Sequence, residues 1–384
     1  MTGASPFRLP PPRGGAPDLL VIAGEHSGDQ HAGRLVCGLL RRRPGLRVAA
    51  LGGPRLAAAG AELLHDRTGV SVVGLLEAAK KFPYFRALIA ETVRWVGEHR
   101  PRAVCFVDNS GVNLRIAEAL RLRGVSAKGG GAVRTLYYIS PQIWASRADR
   151  RFEMARNLDA LAVIFPFEVA CYADTGLPVD FVGHPFLAPD YAPPVSLDPA
   201  GPVLLLPGSR PKAVGLIIPA LLGGYRKFRG GSRSRGAVIL YPSAAIRAQL
   251  EAIDLPAGVV LKQAGSPAAA AAVLTSSGTM SMHCALAGIP GAIAYRTDAL
   301  TYLMARLIVR VPYLGIANIL LGQPMYPEYI QGAATPSALA AELAACVDDP
   351  ARQARTAGQS AELRSMLANP AGLTEADWLS RNLP

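Results

Sequence analysis

The chain has 384 residues, more than one hydrophobic core usually organises, so its length predicts two domains of about 150 to 200 residues each. Half of the residues are hydrophobic and 18% are charged, and this balance excludes wholesale disorder. The formal net charge of +12 predicts an anionic partner and leaves nucleic acid, a phospholipid surface and phosphate-bearing substrates open.

Sequence motifs reduce the number of possible anionic partners. The chain has no basic stripe interleaved with aromatic residues and no zinc-finger or helix-turn-helix pattern, which argues against nucleic acid as a partner. Its five cysteines are widely spaced and mostly set in apolar segments, so we expect reduced core cysteines of a cytoplasmic protein, with no metal or other cofactor. No apolar run has the length of a membrane-spanning helix, so any membrane contact is expected to be peripheral.

The first half of the chain predicts an α/β domain. Residues 1–17 are rich in Pro, Gly and Ser and are expected to form a disordered lead-in rather than a signal peptide. Over residues 18–190, short apolar runs alternate with helical patterns, as in a parallel sheet built from β-α-β units. The predicted strands are Leu19–Ala23, Arg47–Leu51, Ala103–Val107, Thr135–Ile139 and Ala160–Ile164.

The second half repeats this alternation after a break. Residues 187–202 are rich in Pro and Asp and have no periodicity, which predicts a linker. Residues 203–348 are expected to form a second α/β domain with strands at Val203–Leu206, Val238–Tyr241, Val259–Lys262 and Gly291–Tyr295. Residues 349–384 are expected to form C-terminal helices, for which packing back on the N-terminal domain is one option. Two Rossmann-like domains of this kind would place the loops at the carboxyl ends of their strands across one cleft.

The turn after the first predicted strand is rich in glycine and polar residues. It contains Gly24, Glu25, Ser27, Gly28 and Asp29 and leads into a helix. Such a turn offers backbone N–H groups to an anion or a sugar. Tight turns of this composition also occur without function in every α/β fold, so a purely structural role stays open.

Asp108 follows an apolar strand directly. Its carboxylate is therefore expected at the carboxyl edge of the sheet, where catalytic side chains of open sheets gather. A desolvated carboxylate there is suited to accept a hydroxyl proton as a general base, although an Asp after a strand is more often a helix cap. Asn113 and Arg115 are either residues that orient a substrate or ordinary first-turn residues.

Two loops of the second domain have the composition of anion-binding turns. One contains Gly208, Ser209 and Arg210, and the other contains Ser277, Gly278 and Thr279. Each lies between an apolar strand and a helix, so together they predict a nucleotide diphosphate site, with Arg210 placed to meet a phosphate. Helix capping by Ser209 and Ser277 is the alternative, and it is compatible with binding.

Histidines and an apolar segment complete the candidates. His184, just before the linker, is a hydrogen-bond donor for a phosphate or sugar, or else a structural residue. The segment 70–95 has an apolar cluster followed by Lys80, Lys81 and Phe82, a composition that suits a lipid-facing surface. A place in the domain core is the alternative for that cluster.

Taken in order, these motifs resemble those of the lipid A disaccharide synthase family, whose members have the two-domain GT-B glycosyltransferase fold. The resemblance runs from Leu19 to about Leu343. It is carried by Ala23–Glu25 with Ser27–Asp29, Val73–Glu77, Val107-Asp108 with Asn113–Arg115, Tyr137–Ala145, Pro166–Glu168, Phe181–Pro185, Leu206–Arg210, Ser277–Thr279, Ala294–Arg296, Asn318–Leu320, and Pro327-Glu328 with Gln331.

The resemblance implies transfer of a 2,3-diacylglucosamine unit from UDP to 2,3-diacylglucosamine 1-phosphate. The product would be a β-1,6-linked lipid A disaccharide 1-phosphate, formed with inversion and without a metal. It implies Asp108 and Glu25 as catalytic residues; Gly24, Ser27, Gly28, Asp29, Asn113, Arg115, Ser140, Trp144 and His184 as substrate-binding residues; Gly208, Ser209, Arg210, Ser277, Gly278, Thr279, His283, Asn318, Glu328 and Gln331 as UDP-binding residues; and Val72, Val73, Leu75, Leu76 and Phe82 as membrane- or acyl-facing residues.

The implied partners are a UDP-sugar, an acylated glucosamine phosphate and an anionic membrane surface. Amphiphilic substrates suit a basic protein that works at the inner face of the cytoplasmic membrane without an anchor. A homodimer is left open.

The chain departs from the family pattern at three places. His283 stands where the family usually has Glu, Ala213 stands where the phosphate loop usually continues with Glu, and residues 110–112 replace Pro-Asp-Phe. Two alternatives therefore remain. One is an isomerase similar to UDP-N-acetylglucosamine 2-epimerase, and the other is a catalytically silent paralogue that binds a nucleotide sugar.

Overall fold

The protein is built from two parallel β-sheets with helices packed on them. The computed structural model describes residues 7–68, 75–230, 235–299, 301–303, 311–369 and 371–384, with backbone alone for residues 75–81. The described chain divides into two compact units. Unit 1 contains the residues up to Pro185 together with Asn369–Pro384, and unit 2 contains Phe186–Ala368.

The sheet of unit 1 is parallel throughout. Its strands are β1 (Leu19–Ala23), β2 (Val48–Gly52), β3 (Glu62–Asp66), β4 (Ala103–Val107), β5 (Arg134–Tyr138), β6 (Ala160–Val163) and β7 (Val179–Phe181). In the described part of the chain they lie in the order β3-β2-β1-β4-β5-β6-β7. Strands β1 and β4 are apolar and buried along their whole length, as expected at the centre of a parallel sheet that is covered on both faces.

Helices connect the strands of unit 1. They are α1 (His26–Arg42), α2 (Pro54–Ala58), α3 (Leu75–His99), α4 (Ser110–Leu122) and α5 (Arg150–Asn157). Trp95 of α3 and Ile116 of α4 share one core with Leu20, Ile22 and Phe106 of the central strands. The apolar face of each helix is therefore buried against the sheet, and the helices start at its carboxyl edge.

Unit 2 has a second parallel sheet. Its strands are β8 (Val195–Leu197), β9 (Val203–Leu206), β10 (Ala237–Tyr241), β11 (Val259–Gln263), β12 (Ala268–Ala270), β13 (Ala272–Thr275), β14 (Gly291–Tyr295) and β15 (Glu328–Ile330). The main sheet has the order β11-β10-β9-β13-β14-β15, and β8 pairs with β12 separately. Strand β8 lies inside the segment for which the sequence predicted an aperiodic linker.

The helices of unit 2 include α6 (Pro211–Arg229), α7 (Ala244–Glu251), α8 (Thr279–Leu286), α9 (Ile316–Leu321), α10 (Pro336–Asp348) and α11 (Pro350–Leu367). Helix α6 buries Val214, Ile217 and Leu221 in a core that it shares with Leu339 and Leu343 of α10. Long apolar stripes at helical spacing explain this packing.

The last helix of the chain returns to unit 1. Helix α12 (Glu375–Asn382) packs on α1 and buries Trp378. Arg42 of α1 donates from Nε to Asp377 Oδ1 at 2.7 Å. Of the C-terminal helices predicted over residues 349–384, α12 therefore lies in unit 1, whereas α11 lies in unit 2.

From residue 7 onward, the N-terminal segment is not the disordered lead-in that the sequence predicted but packs against the rest of unit 1. Leu9 is buried, its N–H donates to Glu91 Oε1 at 2.8 Å, and the Trp95 indole N–H donates to the Pro10 carbonyl at 2.8 Å. Buried polar groups on α3 need partners, and this Pro-rich stretch supplies them without any periodicity in its own sequence. Within the described residues, no helix has both the length and the apolar character that crossing a membrane requires.

Candidate functional site

A cavity of about 540 Å³ lies at the carboxyl ends of strands β9, β13 and β14 in unit 2. Its lining contains both loops that the sequence predicted as anion-binding turns. The predicted residues in it are Gly208, Ser209, Arg210, Ser277, Gly278 and Thr279. Parallel strands end at one edge of their sheet, and this geometry brings two loops together that are far apart in sequence.

Backbone geometry makes this cavity suitable for an anion. Gly208 has a φ of 102°, and a Cβ there would lie 3.1 Å from Ser276 Oγ, so the turn requires glycine. Helices α6 and α8 begin at these turns, and the N–H groups of a first helical turn have no partner inside the helix. The N-cap residues of α6 and α8 are Arg210 and Gly278, so Ser209 and Ser277 do not occupy the capping positions that the sequence allowed for them.

Arg296 and Tyr295 line the same cavity and were not predicted as binding residues. Tyr295 is the last residue of β14, and Arg296 donates from Nη2 to the Ala334 carbonyl at 2.8 Å. With Arg210 across the lining, Arg296 gives the cavity a second guanidinium group. The available signal was the motif Ala294–Arg296 at the end of a predicted strand.

His283 was predicted to bind UDP, but its ring is not part of the cavity lining. It stacks on Phe186 with ring centroids 3.9 Å apart, and its Nε2 is 3.1 Å from the Tyr191 hydroxyl. Burial lowers the pKa of His283 to about 4, so the ring is neutral at pH 7. Contacts with the segment that enters unit 2 thus account for this side chain.

Asn318, Glu328 and Gln331 also lie outside the cavity lining and form internal hydrogen bonds. Asn318 Nδ2 donates to Glu328 Oε1 at 2.8 Å, and the Glu328 carboxylate accepts the Gly315 N–H at 2.9 Å. Gln331 binds both backbone groups of Thr297, at 2.9 and 3.0 Å. Since Thr297 follows Arg296, Gln331 supports the cavity wall from behind rather than lining it.

Strained backbone marks the carboxyl edge of the sheet in unit 1. Four residues other than glycine have positive φ at the ends of the adjacent strands β1, β4 and β5: Glu25 (43°), Asp108 (50°), Asn109 (45°) and Ile139 (69°). Each such residue costs on the order of 1–3 kcal/mol, and strain of this kind clusters at functional sites. This edge is therefore the second candidate site.

Asp108 lies at the centre of that edge. Its N–H donates to the Tyr138 carbonyl at 3.0 Å, and its own carbonyl accepts from Asn113 Nδ2 at 2.8 Å and from the Tyr137 hydroxyl at 2.5 Å. Burial, together with the nearby negative charge of Glu25, raises the pKa of the Asp108 carboxyl. The backbone of Asp108 is thus held in place, and its carboxyl group is more basic than that of an ordinary Asp.

The residues of the turn after β1 have different roles in the structure. A Cβ on Gly24 would lie 1.9 Å from Asn109 Nδ2, so glycine allows the turns after β1 and β4 to meet, while Glu25 and Ser27 are exposed beside them. Gly28 is buried in the first turn of α1. Asp29 is buried, and its carboxylate accepts the N–H groups of Gly53, Arg55 and Leu56 at 2.8 to 3.2 Å. Asp29 therefore caps α2, and this structural role replaces the expected substrate contact.

Asn113 and Arg115 were both predicted to bind substrate, and the structure gives them different positions. Asn113 is buried below Asp108 and holds the strained turn, so it supports the candidate base. Arg115 is exposed and lines a groove of about 240 Å³ between α3 and α4. It is therefore a surface cation rather than part of the edge that carries Asp108.

Ser140 and Trp144 follow strand β5, and His184 follows strand β7, which is separated from β5 by β6. The Ser140 hydroxyl is 2.7 Å from the Tyr172 hydroxyl, and the Trp144 indole N–H donates to Glu168 Oε1 at 3.2 Å. His184 is buried, with its ring centroid 5.3 Å from that of Phe165. Glu168, which was not predicted as a site residue, is thus part of the same edge.

The predicted membrane-facing segment is described only in part. Val72 and Val73 lie outside the described residues, and for Leu75 and Leu76 only the helical backbone of α3 is described. Phe82 is 56% exposed and lines the groove between α3 and α4.

Comparisons with known proteins agree with one another. Residues 19–375 match the family model for lipid-A-disaccharide synthetase. The lipid-A-disaccharide synthase of Geobacter metallireducens is 35% identical, over 91% of this chain and 93% of that protein. The lipid-A-disaccharide synthase of Syntrophus aciditrophicus is 32% identical, over 95% of this chain and 97% of that protein.

Solved structures with similar folds are more distant in sequence. The glycotransferase of kitacinnamycin has a TM-score of 0.58 at 16% identity and covers 96% of this chain and 100% of its own. The Staphylococcus aureus MnaA–UDP co-structure has a TM-score of 0.57 at 11% identity, with 95% of each chain covered. A putative UDP-N-acetylglucosamine 2-epimerase from Listeria monocytogenes has a TM-score of 0.55 at 13% identity, with 94% of each chain covered. At these identities the likeness shows the fold alone.

Two Rossmann-like units, with an anion-ready cavity at the strand ends of the second, define a protein of the GT-B fold class. Because the family model and relatives above 30% identity span nearly the whole chain, the protein belongs to the lipid-A-disaccharide synthase family and is a hexosyltransferase of lipid A disaccharide synthesis. The family match does not favour the epimerase alternative.

Proposed function

We propose that the protein transfers a 2,3-diacylglucosamine unit from UDP to 2,3-diacylglucosamine 1-phosphate, with inversion at the transferred sugar. The 6-hydroxyl oxygen of the acceptor forms the new bond to C1 of the donor sugar. The bond from C1 to the phosphate oxygen breaks, and its electron pair leaves with UDP. A single displacement of this kind inverts C1 and needs one base for the hydroxyl proton.

The cavity of unit 2 is the observation that carries this proposal. Two loops at helix starts, together with Arg210 and Arg296, line one volume of about 540 Å³. Backbone N–H groups, helix dipoles and guanidinium groups all favour a diphosphate and stabilise the charge that develops on departing UDP. One structural neighbour, the Staphylococcus aureus MnaA–UDP co-structure, is a complex of that protein with UDP.

Asp108 is the proposed base. Its raised pKa increases the proton affinity of the carboxylate, which favours acceptance of a hydroxyl proton. Three hydrogen bonds hold the backbone of Asp108, from which the side chain extends. Glu25 lies close enough to influence the titration of Asp108 and is the next candidate for the base.

We also propose peripheral binding to the inner face of the cytoplasmic membrane. The groove between α3 and α4 has an apolar floor that includes Phe85 and Ile89, with Phe82 exposed at its side. Arg86, Arg115 and Arg123 also line it. Apolar side chains beside cations match the acyl and phosphate layers of an anionic lipid surface.

Product analysis of three incubations tests the function. The protein is given UDP-2,3-diacylglucosamine with the acylated acceptor, the same donor alone, and UDP-N-acetylglucosamine alone. We expect disaccharide and UDP in the first incubation only. A 2-epimerised sugar in the third would support the isomerase, and a lack of UDP release in all three would support a silent binding protein.

A further inference from the structure

Glu168 is a buried carboxyl group at the carboxyl end of β6. It ends a short 3-10 turn, Pro166–Glu168, and is 1% exposed. Its Oε1 accepts the Trp144 indole N–H at 3.2 Å, and its Oε2 accepts the Phe165 N–H at 3.2 Å. The carboxylate thus joins the turn after β6 to the turn after β5 at the edge that carries Asp108.

This hydrogen bond and two aromatic neighbours hold the Trp144 ring in one orientation. Its ring meets Phe167 edge-on with centroids 5.4 Å apart, and Phe165 and Phe167 stack at 5.8 Å. The indole is only half-buried, whereas Glu168 behind it is buried. A half-buried aromatic ring that is fixed in orientation suits stacking on the apolar face of a sugar ring.

Burial of the carboxyl group has an energetic cost. Loss of water around it raises the pKa of Glu168 to about 7, although the N–H groups of Phe165 and Trp144 oppose this shift. Within the described residues, no Lys or Arg forms an ion pair with Glu168. Cys171 and Tyr172 follow it on the next turn, and Arg150, Arg151 and His184 are the other titratable groups around this cluster. The ionised carboxyl group therefore costs stability at this position, while its two oxygens hold the Trp144 and Phe165 N–H groups.

We propose that Glu168 is a positioning residue of the acceptor site: it orients the Trp144 indole so that the indole ring stacks on the glucosamine ring of the acceptor. This inference rests on the proposed function. Glu168 acts through Trp144 and does not exchange a proton with the substrate.

Tryptophan fluorescence tests the coupling without any enzymatic assay. Because the ring centroids of Trp95 and His99 are 4.7 Å apart, the reference protein and all variants carry His99→Gln. Protonation of Glu168 changes the hydrogen bond to Trp144, so the emission of the reference protein should titrate with a midpoint near pH 7. The titration should disappear both in Glu168→Gln and in Trp144→Phe. If it persists unchanged in Glu168→Gln, the proposed coupling is wrong.

Kinetics test the role in acceptor binding. In Glu168→Gln and in Trp144→Ala, kcat/KM for the acceptor should fall by about tenfold to a hundredfold, while the Kd of UDP stays unchanged. The double variant should lose no more than Trp144→Ala, since both changes act through one indole. Unchanged acceptor kinetics in an active Glu168→Gln protein would overturn the inference and leave the proposed function intact. Absence of transfer by the wild-type protein would instead contradict the proposed function, and the fluorescence result would still stand.

Discussion

Arg210 provides the residue-scale test of the nucleotide site. It is an exposed guanidinium group in the cavity lining, directly before α6. Replacement by Ala removes a charge-assisted contact to a phosphate, so Arg210→Ala should weaken UDP binding by about 1.5–3 kcal/mol. Isothermal titration calorimetry with UDP measures this change. Arg247→Ala is the matched control, because Arg247 is an exposed arginine of α7 that pairs with Glu251. An equal effect in both variants would remove Arg210 from the site.

Asp108 provides the test of the base. Asp108→Asn preserves the shape of the side chain but not its basicity, so kcat should fall by about 10² to 10⁴-fold while UDP still binds. The raised pKa of Asp108 also predicts the direction of the pH dependence. On acidification, the wild-type protein should lose activity at a higher pH than it would if the base had the pKa of an ordinary Asp. A pH series of initial rates measures both effects.

Asp174→Asn is the control for this prediction. Asp174 also belongs to unit 1, but it lies on the surface in an ion pair with Arg151. Near-normal turnover in Asp108→Asn would exclude it as the base and direct attention to Glu25.

Glu168 makes stability depend on pH. Its folded-state pKa of about 7 lies above the ordinary value of 4.5, so the folded state binds the proton more tightly than the unfolded state. As pH rises from 4.5 to 7, the wild-type protein should therefore lose up to about 3 kcal/mol relative to Glu168→Gln. Urea denaturation at pH 5 and pH 8 measures the difference. Glu118→Gln on the exposed face of α4 should show no such trend, and a trend of opposite sign in Glu168→Gln would contradict the argument.

At the scale of elements, the loops after parallel strands carry both candidate sites. In unit 2 the turns after β9 and β13 form the cavity, and in unit 1 the turns after β1, β4 and β5 hold strained residues around Asp108. Strands that are buried on both faces fix the positions of their ends, so each loop can depart from ordinary backbone geometry without unfolding.

Helices α3 and α4 provide the test of membrane binding. Phe82 is 56% exposed, so Phe82→Asp should leave Tm nearly unchanged while it reduces binding to anionic liposomes and activity on acylated substrates. Liposome co-sedimentation and thermal unfolding measure the two effects. Val260→Asp, at a position 60% exposed in unit 2, is the matched control and should leave liposome binding unaltered. A large fall in Tm for Phe82→Asp would indicate a core role instead.

At the scale of the whole molecule, the chain enters unit 2 and then returns to complete unit 1. Helix α12 covers α1 through Trp378, which is 1% exposed. Trp378→Ala should therefore lower the free energy of unfolding of unit 1 by about 3–5 kcal/mol, as large-to-small changes in a core do. Urea denaturation followed by circular dichroism measures this loss. Arg381→Ala, at an exposed position of the same helix, should change stability by less than about 0.5 kcal/mol.

Much of the architecture was predictable because its signals are local. Apolar runs such as Ala103–Val107 and Val203–Leu206 matched the observed strands, since a strand buried on both faces is apolar throughout. The two edge strands of the sheet in unit 1 were missed. Glu62–Asp66 and Val179–Phe181 are short and only partly buried, so their sequences lack the continuous apolar run on which the prediction depends.

The sequence by itself determined the two α/β units, the family and the loops that carry glycine and Arg210, because each of these depends on neighbouring residues in the chain. Only the tertiary structure decided which polar residues reach a cavity. It directed Asp29 to the start of α2, His283 to Phe186, and Asn318 to an internal network. It also brought Arg296 and Glu168 to the two candidate sites. The physical reason is that a polar side chain binds whichever partner the fold places within hydrogen-bond distance, and that partner is usually distant in sequence.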